Sequence, residues 1–392
     1  MNNMHLGIRI KIKQLKRVII ISYLRLFGAL YPLKEKQFFC ISMHGKSFGC
    51  NIKPLSDYIE KMNAGNTTVW AFNPFVYHKF SDMRKGKCVH TETFAYYKEQ
   101  YTSKYIISNH RLPIELYPLK RKGQIYMQTW HGTALKRIEA DIPYIDNKYL
   151  KIVQPDSKKI DIFISGSKFM TEIYKKSFWY SGDVYETGTP RNDIFFRKDS
   201  SIVNRVKKLL NIQKDEKLIL YAPTFRNKSD SFAYYDIDSC LLQKVISREF
   251  GGVWRFLVKL HPGILNKDNS DRIKQMYPNA IDASSYPDMQ ELLYASDILI
   301  TDYSSSMFDF MYTMRPCFLY VKDKDIYDRG FYLNMDELPF PKIESNETLE
   351  QVIISYKSHE YEERVKKFMD RIGSVEDGHA TEKCYRLLID RD

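Results

Sequence analysis

Residues Asp297-Ile-Leu-Ile-Thr-Asp-Tyr-Ser-Ser-Ser306, followed by Met307-Phe-Asp-Phe-Met-Tyr-Thr-Met-Arg-Pro316, decide the fold class. Ile298 to Thr301 is a short apolar, β-branched run of the kind buried in a parallel sheet. Ser304, Ser305 and Ser306 are good N-cap residues, and the apolar positions after them recur at helical spacing. A strand that passes into a helix through a polar turn leaves backbone N–H groups pointing out of the sheet. With the hydroxyls beside them they form a ready anion site. Helix capping explains the serines equally well, and the two uses are compatible because several N–H groups are available at a helix start.

Working outward, short apolar runs alternate with amphipathic helical patterns. In the N-terminal half the strand-like runs are 37–42, 67–72, 105–108, 124–129, 161–165 and 184–187, with helices expected at 54–63 and 167–177. The pattern breaks near Gly188-Thr-Pro-Arg-Asn-Asp193, and a charged helix at 200–210 opens a second series. Its strands are 217–221, 254–260, 280–282, 298–301 and 317–321, with a helix at 287–295 and a long charged helix at 360–392. This alternation predicts an α/β protein with two Rossmann-like, doubly wound domains facing each other across a cleft. The expected division is a basic and apolar segment at 1–34, a first domain at 35–195 and a second at 196–392, the last helix either packing there or crossing back.

A chain of 392 residues is long enough for two such cores. The formal net charge of +12 points to an anionic partner: nucleic acid, anionic lipid or a phosphorylated substrate. No zinc-finger spacing or basic zipper is present, which argues against nucleic acid. The six cysteines are scattered without a CxxC pair, so neither a disulfide framework nor a zinc site is expected, and a reducing cytosol is the simpler reading. At the N-terminus, Arg9, Lys11, Lys13, Lys16 and Arg17 precede Val18-Ile-Ile-Ile-Ser-Tyr-Leu24, and Arg25 interrupts the apolar run before it resumes. The run is shorter than the roughly 18–20 residues that span a bilayer. It lacks the small-residue cleavage site of a signal peptide. A basic amphipathic helix at the cytoplasmic membrane surface is expected, the alternative being a basic tail leading into a buried first helix.

Ligands of open α/β sheets bind beyond the carboxyl ends of strands, and five polar clusters stand at such ends. The first is Gln128-Thr-Trp-His-Gly-Thr-Ala134; His131 beside Gly132 has the ordinary pKa of a general base, or is a structural histidine bonded to backbone. Arg191 follows Pro190 in a rigid loop and suits bidentate phosphate binding or a linker salt bridge. Thr224 and Arg226 in Tyr221-Ala-Pro-Thr-Phe-Arg226 offer a hydroxyl and a cation, or a capped turn with a surface arginine. In Leu257-Val-Lys-Leu-His-Pro262, Lys259 and His261 flank Leu260 and share one face of the strand end. The fifth is the serine turn, with Asp309 about one helical turn beyond Ser305. No HExxH, EF-hand, DxD-type pair or Walker lysine loop occurs, so no dedicated metal site is expected; Mg2+ brought in with substrate phosphates stays open.

Taken together and in order, QTWHGT, GTPRND, YAPTFR, KLHP and DILITDYSSSMFDF, followed by Arg315-Pro316 and RGFY ending at Tyr332, resemble the CDP-glycerol glycerophosphotransferase family of teichoic-acid primases and polymerases, with capsule-building relatives. The resemblance covers about residues 105–335. It implies a GT-B-type fold, CDP-glycerol as donor, no tightly bound cofactor, and a lipid-linked saccharide, polymer or capsule acceptor at the cytoplasmic face of the membrane. It implies His131 as the base and His261 as a second required histidine. It assigns substrate contacts to Trp130, Gly132, Thr133, Ala134, Arg191, Thr224, Arg226, Lys259, Leu260, Ser304, Ser305, Ser306 and Asp309. Ala134 departs from the proline usual in polymerases. CDP-ribitol or a nucleotide sugar on the same scaffold is the near alternative. A non-catalytic polyanion-binding protein at the membrane surface is the distant one; it leaves two polar strand-end histidines unexplained.

Overall fold

The computed structural model describes residues 12, 15–16, 18–26, 28–62, 65–84, 86–91, 93–112, 120–224, 234–260, 267–323 and 330–390. The chain forms two compact units: residues 1–131, 139–193 and 375–392 make the first, residues 132–138 and 194–374 the second.

The first unit is built on β1 (Lys34–Ile41), β2 (Thr67–Phe72), β3 (Lys87–His90), β4 (Ser103–Ser108), β5 (Ile125–Gln128), β6 (Ile162–Ser165) and β7 (Val184–Glu186). All pairs are parallel, in the order β3-β2-β1-β4-β5-β6-β7. The central strands are aromatic and β-branched because helices cover both faces, which leaves no solvent side to alternate toward. Phe38, Cys40, Trp70, Phe72, Ile107 and Met127 accordingly sit in one buried cluster. The strand order reverses direction between β1 and β4, so their carboxyl ends diverge into separate loops.

The second unit repeats the plan with β8 (Lys217–Tyr221), β9 (Trp254–Val258), β10 (Ile281–Asp282), β11 (Ile298–Thr301), β12 (Cys317–Tyr320) and β13 (Lys342–Ile343). Their order is β10-β9-β8-β11-β12-β13, again all parallel, with the reversal between β8 and β11. Ile219, Phe256, Ile300 and Phe318 centre its core. Two parallel sheets were therefore readable from the sequence, apart from the edge strands β3 and β13. Lys87–His90 and Lys342–Ile343 are too short and too polar to register as apolar runs.

Expected helices recur with small shifts. The one expected at 167–177 is Lys168–Ser177, where the Ser167 hydroxyl accepts from the Met170 N–H at 3.2 Å. The long terminal helix does not form as a single rod. It divides into Ser358–Ile372 and Ala380–Ile389, because Gly373 adopts φ 61° and closes the first helix in the left-handed region. The second piece leaves the 196–392 range and joins the first unit, the crossing back that the sequence left open. Cys384, Tyr385 and Leu388 enter the core that holds Ile52 and Leu55, and the Tyr385 ring meets Tyr58 at 5.5 Å. Its first turn is fixed by Asp193, whose carboxylate accepts from Ala380 N–H at 3.0 Å and Thr381 N–H at 2.9 Å.

At the N-terminus, residues 18–26 are helical. Ile21 and Leu24 face inward, at 7% and 0% exposure, whereas Leu15, Ile19, Leu26 and Leu30 stand open to solvent. Arg9, Lys11, Lys13 and Arg17, which supplied most of the basic character of this segment, lie outside the described residues. Among the described residues no helix is long and apolar enough to cross a membrane.

Candidate functional site

In the first unit, the diverging ends of β1 and β4 are tied by one side chain. Asn109, the first residue after β4, accepts from Met43 N–H at 2.8 Å through Oδ1 and donates from Nδ2 to the Ser42 hydroxyl at 3.1 Å. Its backbone carbonyl turns toward the next strand end. There His131 Nδ1 lies 2.8 Å from Asn109 O, and His110 Nδ1 lies 2.9 Å from the same oxygen. A carbonyl only accepts, so each Nδ1 carries the proton and each neutral ring leaves Nε2 as an acceptor. A strand-end histidine with a bare, backbone-fixed Nε2 is competent to remove a proton from a hydroxyl.

The surroundings keep that imidazole neutral. Burial holds His131 well below the ordinary histidine range; His110, Arg191 and His44 add to the effect, against the pull of the Asn109 carbonyl. Burial likewise lowers His110. His131 stacks on Trp130 with ring centroids 4.4 Å apart, and Trp130 presses edge-on against Phe178 at 4.7 Å. Trp130 pays a backbone cost for this position, with φ 48° in the left-handed region. Its N–H donates to Gln128 Oε1 at 2.9 Å and its carbonyl accepts from Asn51 Nδ2 at 3.1 Å, which holds the strained turn. Gly132 follows at φ 126°, a conformation that L side chains rarely adopt.

Arg191 is brought to the same place. It is 8% exposed, and Nη1 donates to the His131 carbonyl at 2.6 Å while its backbone N–H donates to Asn51 Oδ1 at 3.1 Å. The loop that carries it is braced by Glu376, whose carboxylate accepts from Thr189 N–H at 2.9 Å and from Asn192 Nδ2 at 3.1 Å. The residue after His110 is anchored as firmly: Arg111 bonds Glu139 at 2.9 Å, Asp156 at 3.3 Å and Ser157 at 2.7 Å, all buried. Thus the structure brings His131, Trp130 and Arg191 together, with His44, His110, Asn109 and Asn51 beside them. The strand-end rule that selected His131 also points to His44 and His110, which follow β1 and β4; they lacked only a neighbouring motif to draw attention.

Gly132, Thr133 and Ala134 begin the second unit. There, too, one side chain ties the divergent strand ends. Asp302, 3% exposed and directly after β11, accepts from Thr224 N–H at 2.9 Å and also from the Thr224 hydroxyl. It accepts from Tyr303 N–H at 2.6 Å as well. Ser304 to Ser306 form the expected turn, with Ser306 N–H and Oγ donating to Ser304 Oγ at 3.3 and 2.9 Å. The helix they start is short, Ser306–Phe310, and Ser305 at the cap position makes no side-chain cap bond. Asp309 is 4% exposed and accepts from Gln290 Nε2 at 2.9 Å. Lys259 directs its ammonium to the Ser284 and Tyr286 carbonyls at 2.9 and 2.6 Å, so it pins the loop after β10. Leu260 is a core residue at 1% exposure. His261 and Arg226 lie outside the described residues. Among the described residues no group of three or more His, Cys, Asp or Glu side chains is placed to hold a metal ion.

The sequence matches the family described as CDP-glycerol:poly(glycerophosphate) glycerophosphotransferase over residues 24–390. The teichoic acid glycerol-phosphate transferase of Staphylococcus aureus is 30% identical over 400 residues, covering 96% of this chain and 98% of that protein. The teichoic acid poly(glycerol phosphate) polymerase of Staphylococcus epidermidis is 32% identical over 91% of this chain, which spans about half, 51%, of the polymerase's length. The solved structure of the wall teichoic acid polymerase TagF superposes with a TM-score of 0.80 at 28% identity, covering 100% of this chain and 96% of that one.

The histidine cluster gives folding stability a pH dependence of definite sign. His110 and His131 have lowered native pKa values, so below about 6.5 the unfolded chain binds more protons than the native one. Their contribution is fully present above that pH and is lost as pH falls below it. Asp156, raised to about 6 by burial, acts in the opposite direction between its ordinary value and 6. The comparison that isolates the histidine contribution is therefore between wild type and His131→Gln. Urea denaturation at pH 7.5 and pH 5.5 is expected to show a smaller acid-induced loss in the variant; an equal or larger loss contradicts the assignment.

Proposed function

Because the chain belongs to the CDP-glycerol:poly(glycerophosphate) glycerophosphotransferase family, we propose that it is a transferase that moves glycerol phosphate from CDP-glycerol to a hydroxyl of a lipid-linked saccharide or growing poly(glycerol phosphate) chain in teichoic acid synthesis, releasing CMP. The observation that carries the chemistry is the Nδ1 hydrogen bond of His131 to Asn109 O, 2.8 Å long, which leaves Nε2 free to accept. The acceptor hydroxyl gives its proton to Nε2 of His131. Its oxygen attacks the phosphorus that bears glycerol, and the bond from that phosphorus to the bridging oxygen breaks. The electron pair leaves on CMP. In such a transfer, positioning and electrostatics carry most of the acceleration.

In this reading the two Rossmann-like units form a GT-B-type architecture. The first contributes the base. The second holds the donor: beside Thr224, whose own N–H and hydroxyl are taken up by Asp302, the Ser304–Ser306 turn offers the Ser304 and Ser305 hydroxyls to the pyrophosphate. His261 and Arg226 join them by family resemblance, and Mg2+, where it takes part, arrives with the donor's phosphates. Lys259 acts by holding the loop after β10 rather than as a bare cation. Arg191 braces the His131 carbonyl and thereby the base. The same residues would serve a capsule polymer, whose acceptor differs only beyond the reacting hydroxyl.

General-base removal lowers rate by about 10²–10⁴. His131→Ala is therefore expected to fold and to bind CDP-glycerol, read as a raised melting temperature with donor, yet to lose turnover by that factor. Turnover near wild type in this variant sinks the assignment.

The helix at 18–26 buries Ile21 and Leu24 and presents Val18, Ile19 and Leu26 outward, with Leu15 before it and Leu30 after it also exposed. An exposed apolar face in a segment that also carries Arg and Lys suits the headgroup boundary of an anionic bilayer, where a lipid-linked acceptor keeps its reactive end. The protein is thus read as peripheral, at the cytoplasmic face. Ile19→Glu with Leu26→Glu, both at exposed positions, should weaken sedimentation with phosphatidylglycerol vesicles several-fold. Undiminished binding would remove the anchor.

A further inference from the structure

Three histidines meet at the carboxyl ends of adjacent strands in the first unit: His44 after β1, His110 after β4 and His131 after β5. The His110 and His131 ring centroids are 4.1 Å apart with planes 31° from parallel. His44 stands edge-on to His110 at 4.6 Å. Both Nδ1 atoms of the near-parallel pair donate to Asn109 O, at 2.9 and 2.8 Å. A carbonyl oxygen has two lone pairs, and here each is occupied by an imidazole N–H. Two rings that turn the same edge to one oxygen also turn the opposite edge the same way. Their Nε2 atoms therefore both look away from Asn109, and both are unprotonated when the rings are neutral.

We propose that His110 is a positioning residue for His131, holding its ring by stacking on it over the shared Asn109 carbonyl and confining the ring pair to a single charge. The inference rests on the reading of His131 as the base. Two imidazolium ions at this separation repel strongly in a partly desolvated site, so the pair titrates as a unit rather than as two independent groups. When His131 takes the acceptor's proton, His110 stays neutral. His131 then holds the proton weakly and returns it to solvent for the next turnover. The charged and titratable groups around the pair act on the same balance. His44 and Lys46 of the β1 loop and Arg191 of the loop after β7 oppose a positive charge there, while Glu139 favours one on His110. His110 is itself held in place: its N–H donates to Ser108 Oγ at 3.2 Å, its ring lies 5.7 Å from Trp130 at 14°, and the following Arg111 is locked in the buried carboxylate cluster.

The test uses the full chain labelled with 15N-histidine, with His131 assigned by loss of its signals in His131→Gln. Long-range 1H–15N spectra between pH 4.5 and 8 report tautomer and titration midpoint directly, without turnover. His110→Phe keeps the ring volume and removes both the shared hydrogen bond and the second titrating group. The expected result is a His131 midpoint raised by about one unit, the ordinary spread of histidines in folded proteins, with the acid limb of kcat/KM raised equally and KM for CDP-glycerol unchanged. If the His110 ring merely fills space, phenylalanine replaces it and leaves the midpoint where it was. His110→Asn serves as a second, smaller replacement should the phenylalanine variant not fold. An unmoved His131 midpoint in the folded variant overturns the proposal. A shifted midpoint with an unmoved acid limb upholds the positioning by His110 and removes His131 as the base.

Discussion

The constraint on which the site depends is the divergence of neighbouring parallel strands where the strand order reverses. Beyond the last paired residues of β1 and β4, Ile41 and Ser108, the strands part, and backbone groups there need partners that no further strand supplies. Asn109 meets that need with its side chain, bonding Met43 N–H and Ser42 Oγ, and in doing so aims its own carbonyl at His131 and His110. Asp302 performs the parallel task at β8 and β11, where it fixes Thr224 and the turn into the serines. In each unit a single polar residue one step past a strand both closes the sheet and sets the atoms of the candidate site. The geometry of the candidate site is thus a by-product of satisfying the sheet.

This arrangement divides the demands of phosphoryl-type transfer. A neutral imidazole with a fixed tautomer suits proton removal, and hydroxyl and backbone donors at a strand-to-helix turn suit a pyrophosphate. Around His131 the protein spends strain and buried charge to keep order. Trp130 sits at positive φ, Arg111 is enclosed with Glu139 and Asp156, and Glu376 braces the loop that carries Arg191. The terminal helix Ala380–Ile389 belongs to the same support, since its first turn and the Arg191 loop are held by neighbouring acidic residues, Asp193 and Glu376. Strained or buried polar groups of this kind cluster where a site must be held in one geometry.

Much of the fold was legible because parallel strands buried on both faces read as plain apolar runs. Thr67–Phe72, Lys217–Tyr221 and Ile298–Thr301 fall at the expected residues. Lys87–His90 was missed because an edge strand needs little apolar character. The break at Gly373 was missed because a helical periodicity does not record one left-handed residue. The candidate site was legible where a motif clustered, as at His131 and Thr224, which the structure sets past the ends of β5 and β8. Asp309 and Lys259 show the limit: spacing placed them near the turn and the strand end, but tertiary partners, Gln290 for one and two carbonyls for the other, decide where they point. His44 and His110 needed the sheet order itself, because only adjacency of β1, β4 and β5 brings three separate loops together.

The central claim is that a base-fixed hydroxyl displaces CMP from CDP-glycerol. The most direct measurement supplies the full chain with a synthetic lipid-linked disaccharide and, in parallel, CDP-glycerol, CDP-ribitol or a UDP-sugar, following nucleotide release and product mass together. The account predicts CMP release with CDP-glycerol matched by an acceptor extended through glycerol phosphate. Extension with CDP-ribitol alone, UDP release with sugar transfer, or no acceptor extension with CDP-glycerol would contradict it.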